Sequence, residues 1–177
     1  MFRTMAAAAV LLAAGPRLAQ QVTPPEGLTW FVVTTLNQAD FDIDDPTNRP
    51  PLVAQPPEGV LIPVEVDGDG RTDWLIRWPE RTAFCGTGGC RRTLYIGRED
   101  GLVRAFDRQA LDLTLTTVEG EGRIEAWLHP LNCDDGREPC LAAWAWDEEA
   151  GRLAPRPSSD GAAPAAPTLA VIDPTAD

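Results

Sequence analysis

Turn-forming residues break this chain so often that no long helix fits through its body. Glycine-bearing clusters recur at 67–70, 86–89, 99–101, 119–122, 134–136 and 147–151. Between them lie short segments rich in β-branched and aromatic residues, the composition of strands. The sequence predicts strands at 30–36 (WFVVTTL), 60–66, 73–78, 92–97, 102–106, 111–118, 123–129, 140–146 and 152–154. Segment 111–118 alternates in the strand period, with Leu111, Leu113 and Leu115 on one face and Asp112, Thr114 and Thr116 on the other. The expected fold is all-β: a small antiparallel sandwich, barrel or meander of about eight short strands. The alternative is an α+β arrangement with a helix near 104–111.

The ends of the chain differ from this body. Residues 1–19 read as an export signal. Arg3 supplies the positive start, and 5–14 (MAAAAVLLAA) is an apolar run too short for the about 20 helical residues that cross a bilayer. Cleavage is expected after Ala19. No other stretch is long and apolar enough to span a membrane. Residues 20–27 form a polar lead-in, the β domain is placed at 28–156, and the Pro/Ala-rich segment 157–177 is expected to be a disordered tail. The expected destination is the periplasm or the exterior.

Four cysteines in an exported chain imply two disulfides. The local pairing, Cys85–Cys90 and Cys133–Cys140, is favoured because each pair brackets turn residues. Closing such short loops stabilises a fold by roughly 2 kcal/mol each in the chain-entropy description. The spacings C-x4-C and C-x6-C fit structural zinc poorly.

Charge excludes some partners. The chain carries 15 basic residues, all arginine, against 27 acidic ones, a net charge of −12. Removing 1–19 takes Arg3 and Arg17, leaving 13 basic residues against 27 acidic and a net charge of −14. Such a surface repels nucleic acid and anionic lipid. It suits cations or a basic protein.

The acidity is organised at one place. In Glu65-Val66-Asp67-Gly68-Asp69-Gly70-Arg71-Thr72-Asp73 the oxygen-bearing residues Glu65, Asp67, Asp69 and Asp73 alternate, with the backbone carbonyl of Arg71 between. Calcium takes six to eight oxygen ligands, which a tight loop can supply. The order follows the start of an EF-hand loop, but Glu65 replaces the first Asp and Ile76 stands where the bidentate Glu belongs. The segment VEVDGDGRTDWLI resembles instead the calcium loops of FG-GAP and VCBS-type β repeats, D-x-[DN]-G-D-G-x-x-D-hydrophobic. That resemblance covers about thirteen residues, appears once, and implies Ca2+ held by Glu65, Asp67, Asp69 and Asp73, with Trp74 at the apolar position. A propeller needs many such units, so the resemblance bears on the loop and not on the fold. A second acidic run, Asp40, Asp42, Asp44 and Asp45, reads as a solvated loop that could add donors. The pairing of this loop with a downstream C-x4-C ring also resembles small exported proteins of proteobacteria.

Two further features suggest partner binding. The ring Cys85-Gly86-Thr87-Gly88-Gly89-Cys90 presents backbone N–H groups and is followed by Arg91 and Arg92. Trp144 and Trp146 share one face of a strand and could stack on a sugar or a partner, although core filling is the plainer use. Catalysis has less to build on. His129 is the sole histidine, and the only serines, Ser158 and Ser159, fall in the expected tail, so a Ser-His-Asp triad is not expected. The sequence therefore supports a non-enzymatic exported module that binds an envelope protein or a glycan. An inhibitor of a basic envelope-attacking enzyme such as lysozyme is the alternative, and a carboxylate-based hydrolase the outlying one.

Overall fold

A computed structural model of the chain describes residues 22–39, 51–133 and 136–159. The signal segment, the acidic run at 40–45, Asp134, Asp135 and residues 160–177 lie outside the described residues.

The architecture is two antiparallel sheets and one helix. The first sheet contains β1 (Leu61–Val64), β2 (Asp73–Arg77), β3 (Cys85–Gly86), β4 (Gly89–Arg98) and β5 (Gly101–Ala110). β4 is its axis, with β2 and the two-residue β3 along one edge and β5 along the whole of the other. The second sheet is a meander of β6 (Asp112–Val118), β7 (Glu121–Leu128), β8 (Cys140–Asp147) and β9 (Arg152–Arg156). Neither sheet closes on itself, so of the three expected all-β forms the sandwich is the one adopted. The helix proposed near 104–111 is absent: that stretch is β5 and continues to Leu111, which separates the two sheets.

The strand expected at 30–36 is a helix, α1 (Glu26–Gln38). Its β-branched residues argue for a strand, yet Leu28, Val32 and Leu36 are buried at intervals of four, the spacing of one helical face. Pro25 stands at its N-cap, where a fixed φ and a missing N–H cost nothing. Tertiary packing outweighs propensity here. The helix lays its apolar stripe on Val60, Trp74, Ile76, Trp78 and Phe84, and Phe31 meets Trp78 and Tyr95 edge-on at 6.0 and 6.4 Å. Asn37 ties the segment after α1 back to it, its amide exchanging two hydrogen bonds with the backbone of Val53 at 2.8 and 2.9 Å.

The first sheet is thus covered on both faces, and its side-chain alternation divides two cores. Trp74, Ile76 and Trp78 turn toward α1. Leu75, Leu94, Ile96 and Phe106 turn the other way, onto Leu113, Ile124, Ala126, Leu128, Ala142, Trp144 and Leu153 of the second sheet. A fully buried side chain of this size contributes roughly 1.5–3 kcal/mol, so the inter-sheet core dominates cohesion.

Both local disulfides are formed, Cys85–Cys90 and Cys133–Cys140, and no described cysteine is free. The packed chain runs past the expected start of the tail. Ser158 is buried, and Ser159 donates to Glu125 from its backbone N–H and its hydroxyl at 2.6 and 2.7 Å.

Candidate functional site

The acidic loop joins β1 to β2, and the pair Val64–Asp73 closes it. Its own side chains fold it. Glu65 Oε1 accepts from Gly68 N at 2.9 Å, Asp67 Oδ1 from Asp69 N at 3.3 Å, and Asp69 Oδ1 from Arg71 N at 2.7 Å. The two aspartate bonds are Asx turns, one following the other, and the glutamate bond spans three residues ahead of them. Gly68 and Gly70 adopt φ +78° and +80°, the left-handed region that a side chain disfavours.

Asp73 anchors the loop to the sheet. It is fully buried, and its two oxygens accept from Val66 N at 2.7 Å and from Gly97 N at 2.8 Å. Two strands crowd the loop backbone from the sides. A Cβ on Gly97 would stand 2.6 Å from Thr72 O, and one on Gly122 would overlap Val66 O. Glycine at both positions lets β4 and β7 press against the loop.

Oxygens of Glu65, Asp67 and Asp73 all lie within 4.8 Å of one another. Burial pushes the Asp73 carboxyl up from 3.8 to about 6, against the pull of its two backbone hydrogen bonds, and the nearby charges of Asp67 and Glu65 push it the same way. Asp67 Oδ2 is buried and accepts no hydrogen bond. Its neighbouring cation is Arg98, whose Nη2 stands 3.2 Å away without hydrogen-bond alignment. An acceptor with no aligned donor, in a set of three carboxylates, is what a hard cation fits.

Asp69 does not join the other three. One of its oxygens takes the Arg71 N–H, and the other faces the Arg71 and Arg98 guanidiniums at 3.0 and 3.4 Å. Its carboxyl is held below the ordinary range, first by the Arg71 N–H and then by those two cations. The expected four-acid set is therefore a set of three. Arg71 is engaged through its N–H and guanidinium with Asp69.

Local pattern cannot reveal the residue that completes this site. Arg98, at the end of β4, reaches Asp67, Asp69 and Glu148 together, the last at 2.5 Å. Its guanidinium stacks over Trp146 at 4.6 Å, and Trp146 Nε1 donates to Glu148 at 2.9 Å. A cation–aromatic contact and a charged hydrogen bond thus bind the first sheet's loop to the β8–β9 hairpin of the second.

The remaining candidates separate. Gly86 and Thr87 are exposed at the tip of the disulfide ring, whereas Gly88 is buried and packs with Gly86 against Gln109. Trp144 is completely buried, meeting Phe106 at 5.8 Å, and is out of reach of a partner. Trp146 serves Arg98. His129 Nδ1 accepts from Leu131 N at 3.3 Å and caps a short 3₁₀ turn, far in role from Ser159, which bonds Glu125.

Comparison with protein-family models, curated proteins and solved structures finds no match.

Proposed function

We propose that this protein is an exported, non-enzymatic binding module whose acidic loop holds calcium through Glu65, Asp67 and Asp73. The observation that carries the reading is the convergence of three carboxylates within 4.8 Å, one of them with a buried oxygen that no donor satisfies. Two formed disulfides are compatible with an oxidising compartment, and no helix among the described residues is long and apolar enough to cross a membrane. Calcium in such a site acts structurally. It offsets the repulsion of three close carboxylates and fixes the β1–β2 loop. Few protein oxygens converge, so affinity falls in the range of extracellular modules, roughly 10⁻⁴ to 10⁻³ M. At free calcium tenfold above Kd, binding stabilises the fold by about 1.4 kcal/mol. The test is thermal unfolding of the mature protein in calcium and in chelator, with Asp67→Ala alongside. Calcium raises the melting temperature of the wild type and leaves the variant unchanged; a wild type indifferent to calcium rejects the reading.

The module binds an envelope protein or a glycan. The exposed tip of the Cys85–Cys90 ring, at Gly86 and Thr87, favours a second form of this reading. In it the acidic protein inserts that tip into the cleft of a basic enzyme such as lysozyme. Lysozyme activity measured with excess protein separates the two forms.

A further inference from the structure

The first sheet carries a row of arginines that its own carboxylates leave alone. Arg77 on β2 pairs directly across from Arg92 on β4, and Arg92 directly across from Arg108 on β5. Directly paired residues share a face. Each arginine lies two residues from an inward-facing core side chain, Leu75, Leu94 and Phe106 respectively, so the row extends the inner face of this sheet beyond the inter-sheet core.

Three like charges side by side on neighbouring strands are unfavourable, and this molecule is rich in acids that would relieve them. Arg71, Arg91, Arg98, Arg104, Arg123 and Arg156 each have a carboxylate in ion-pair contact. Among the described residues, Arg77, Arg92 and Arg108 have none. Among the described residues Arg92 donates only to the carbonyl of Arg91, at 3.1 Å, and Glu80 and Asp112 act on it through space. Burial disfavours the charge of Arg92 and of Arg108, and Arg77 adds repulsion at Arg92. Beside the row opens a cleft of about 550 Å³, lined by Arg77, Arg92 and Arg81 together with Pro57, Glu58 and Glu80.

We propose that this cleft is an anion site for a single tetrahedral oxyanion, a phosphate or sulfate group, bound by Arg77 and Arg92 with Arg81 at its edge. Guanidinium forks match such a group bidentately, and a doubly charged anion relieves two crowded cations at once, which one carboxylate cannot. Glu58 and Glu80 in the same cleft repel a long polyanion and so restrict the ligand to one isolated group. This site stands on residues separate from the calcium loop and does not depend on it.

The experiment is calorimetric titration and thermal unfolding of the mature protein with inorganic phosphate, inorganic sulfate and glucose 6-phosphate. Chloride at matched ionic strength is the blank. Arg92→Met and Arg77→Gln are the site variants, and Arg152→Met, at an exposed position of β9, is the control. Phosphate or sulfate raises the melting temperature of the wild type beyond the chloride effect, and the site variants weaken binding about tenfold or more while the control does not. Without oxyanion, Arg92→Met is at least as stable as the wild type, because removing a crowded charge relieves repulsion; a purely structural arginine would show the opposite. Glucose 6-phosphate binding more tightly than inorganic phosphate identifies an ester as the source, and equal binding identifies the free anion. Oxyanions no better than chloride, or site variants that bind like the control, overturn the proposal. Arg77→Gln, at an exposed position, reads oxyanion binding independently of Arg92, and an Arg92→Met that does not fold counts against the unrelieved charge at Arg92.

Discussion

Asp73 makes stability respond to pH in a direction opposite to that of most surface carboxylates. Its carboxyl is buried beside Asp67 and Glu65 and titrates at about 6, against 3.8 for an ordinary aspartate. Below pH 4 the group is protonated in both the folded and the unfolded chain, and its ionisation costs the fold nothing. Between about 4 and 6 the unfolded chain releases this proton and the folded chain keeps it. Stability from this group therefore falls as pH rises through that window. The difference in proton affinity, at about 1.4 kcal/mol per tenfold, amounts to about 3 kcal/mol. The perturbation is Asp73→Asn, which keeps the shape and removes the titration. The assay is urea unfolding of wild type and variant, disulfides intact and in chelator, at pH 4, 5, 6 and 7. Carboxylates remote from Asp73 titrate alike in both proteins and cancel in the comparison. The stability of the wild type relative to the variant should fall by up to about 3 kcal/mol between pH 4 and pH 7. A difference that stays flat across this range would refute the raised pKa of Asp73.

Other perturbations probe the surroundings of the same loop. Gly122→Ala drives a methyl group into the Val66 carbonyl and should destabilise the fold by about 1–3 kcal/mol in chemical unfolding; an unchanged midpoint would mean that the loop yields freely. Arg98→Met removes the resident cation from Asp67 and Asp69, so the variant should unfold earlier in chelator yet gain more from calcium than the wild type does, by calorimetry. Equal calcium increments would show that Arg98 and the metal do not compete. Replacing Cys85 and Cys90 together by Ser should cost roughly 2 kcal/mol, read from the urea midpoint, while calcium binding stays as it was.

Strand positions are legible in the sequence because sheet faces impose a period of two that turn residues punctuate. Segment 140–146 and the hairpins around 99–101 and 119–122 need nothing more. The segment 30–36 misleads because Val32, Val33, Thr34 and Thr35 carry strand propensity while their burial is set by a sheet formed 25 or more residues later. Only the four-residue interval of Leu28, Val32 and Leu36, with Pro25 ahead of it, holds the helical signal. At the site, the carboxylates are legible since one loop supplies them all. Spacing alone groups Asp69 with them, but its charge is taken by Arg71, two residues on, and by Arg98, 29 residues away, and the residue that completes the latter contact, Glu148, lies 50 residues beyond Arg98. Trp146 illustrates the same limit: its alternation with Trp144 is visible, but the guanidinium it supports is fixed by how two sheets face each other.

The two sheets occupy successive stretches of sequence, 61–110 and 112–156, with Leu111 alone between them. Every strand pairs with a near neighbour in the chain, and both disulfides close short loops within one half. In kinetic terms strand pairing is local, while the packing between the sheets and under the helix joins residues far apart in sequence. The first sheet has all its hydrogen-bonding strands before the second begins, so its pairing needs no residue of the second half. What joins one sheet to the other is the shared core and, at its rim, Arg98 meeting Trp146 and Glu148.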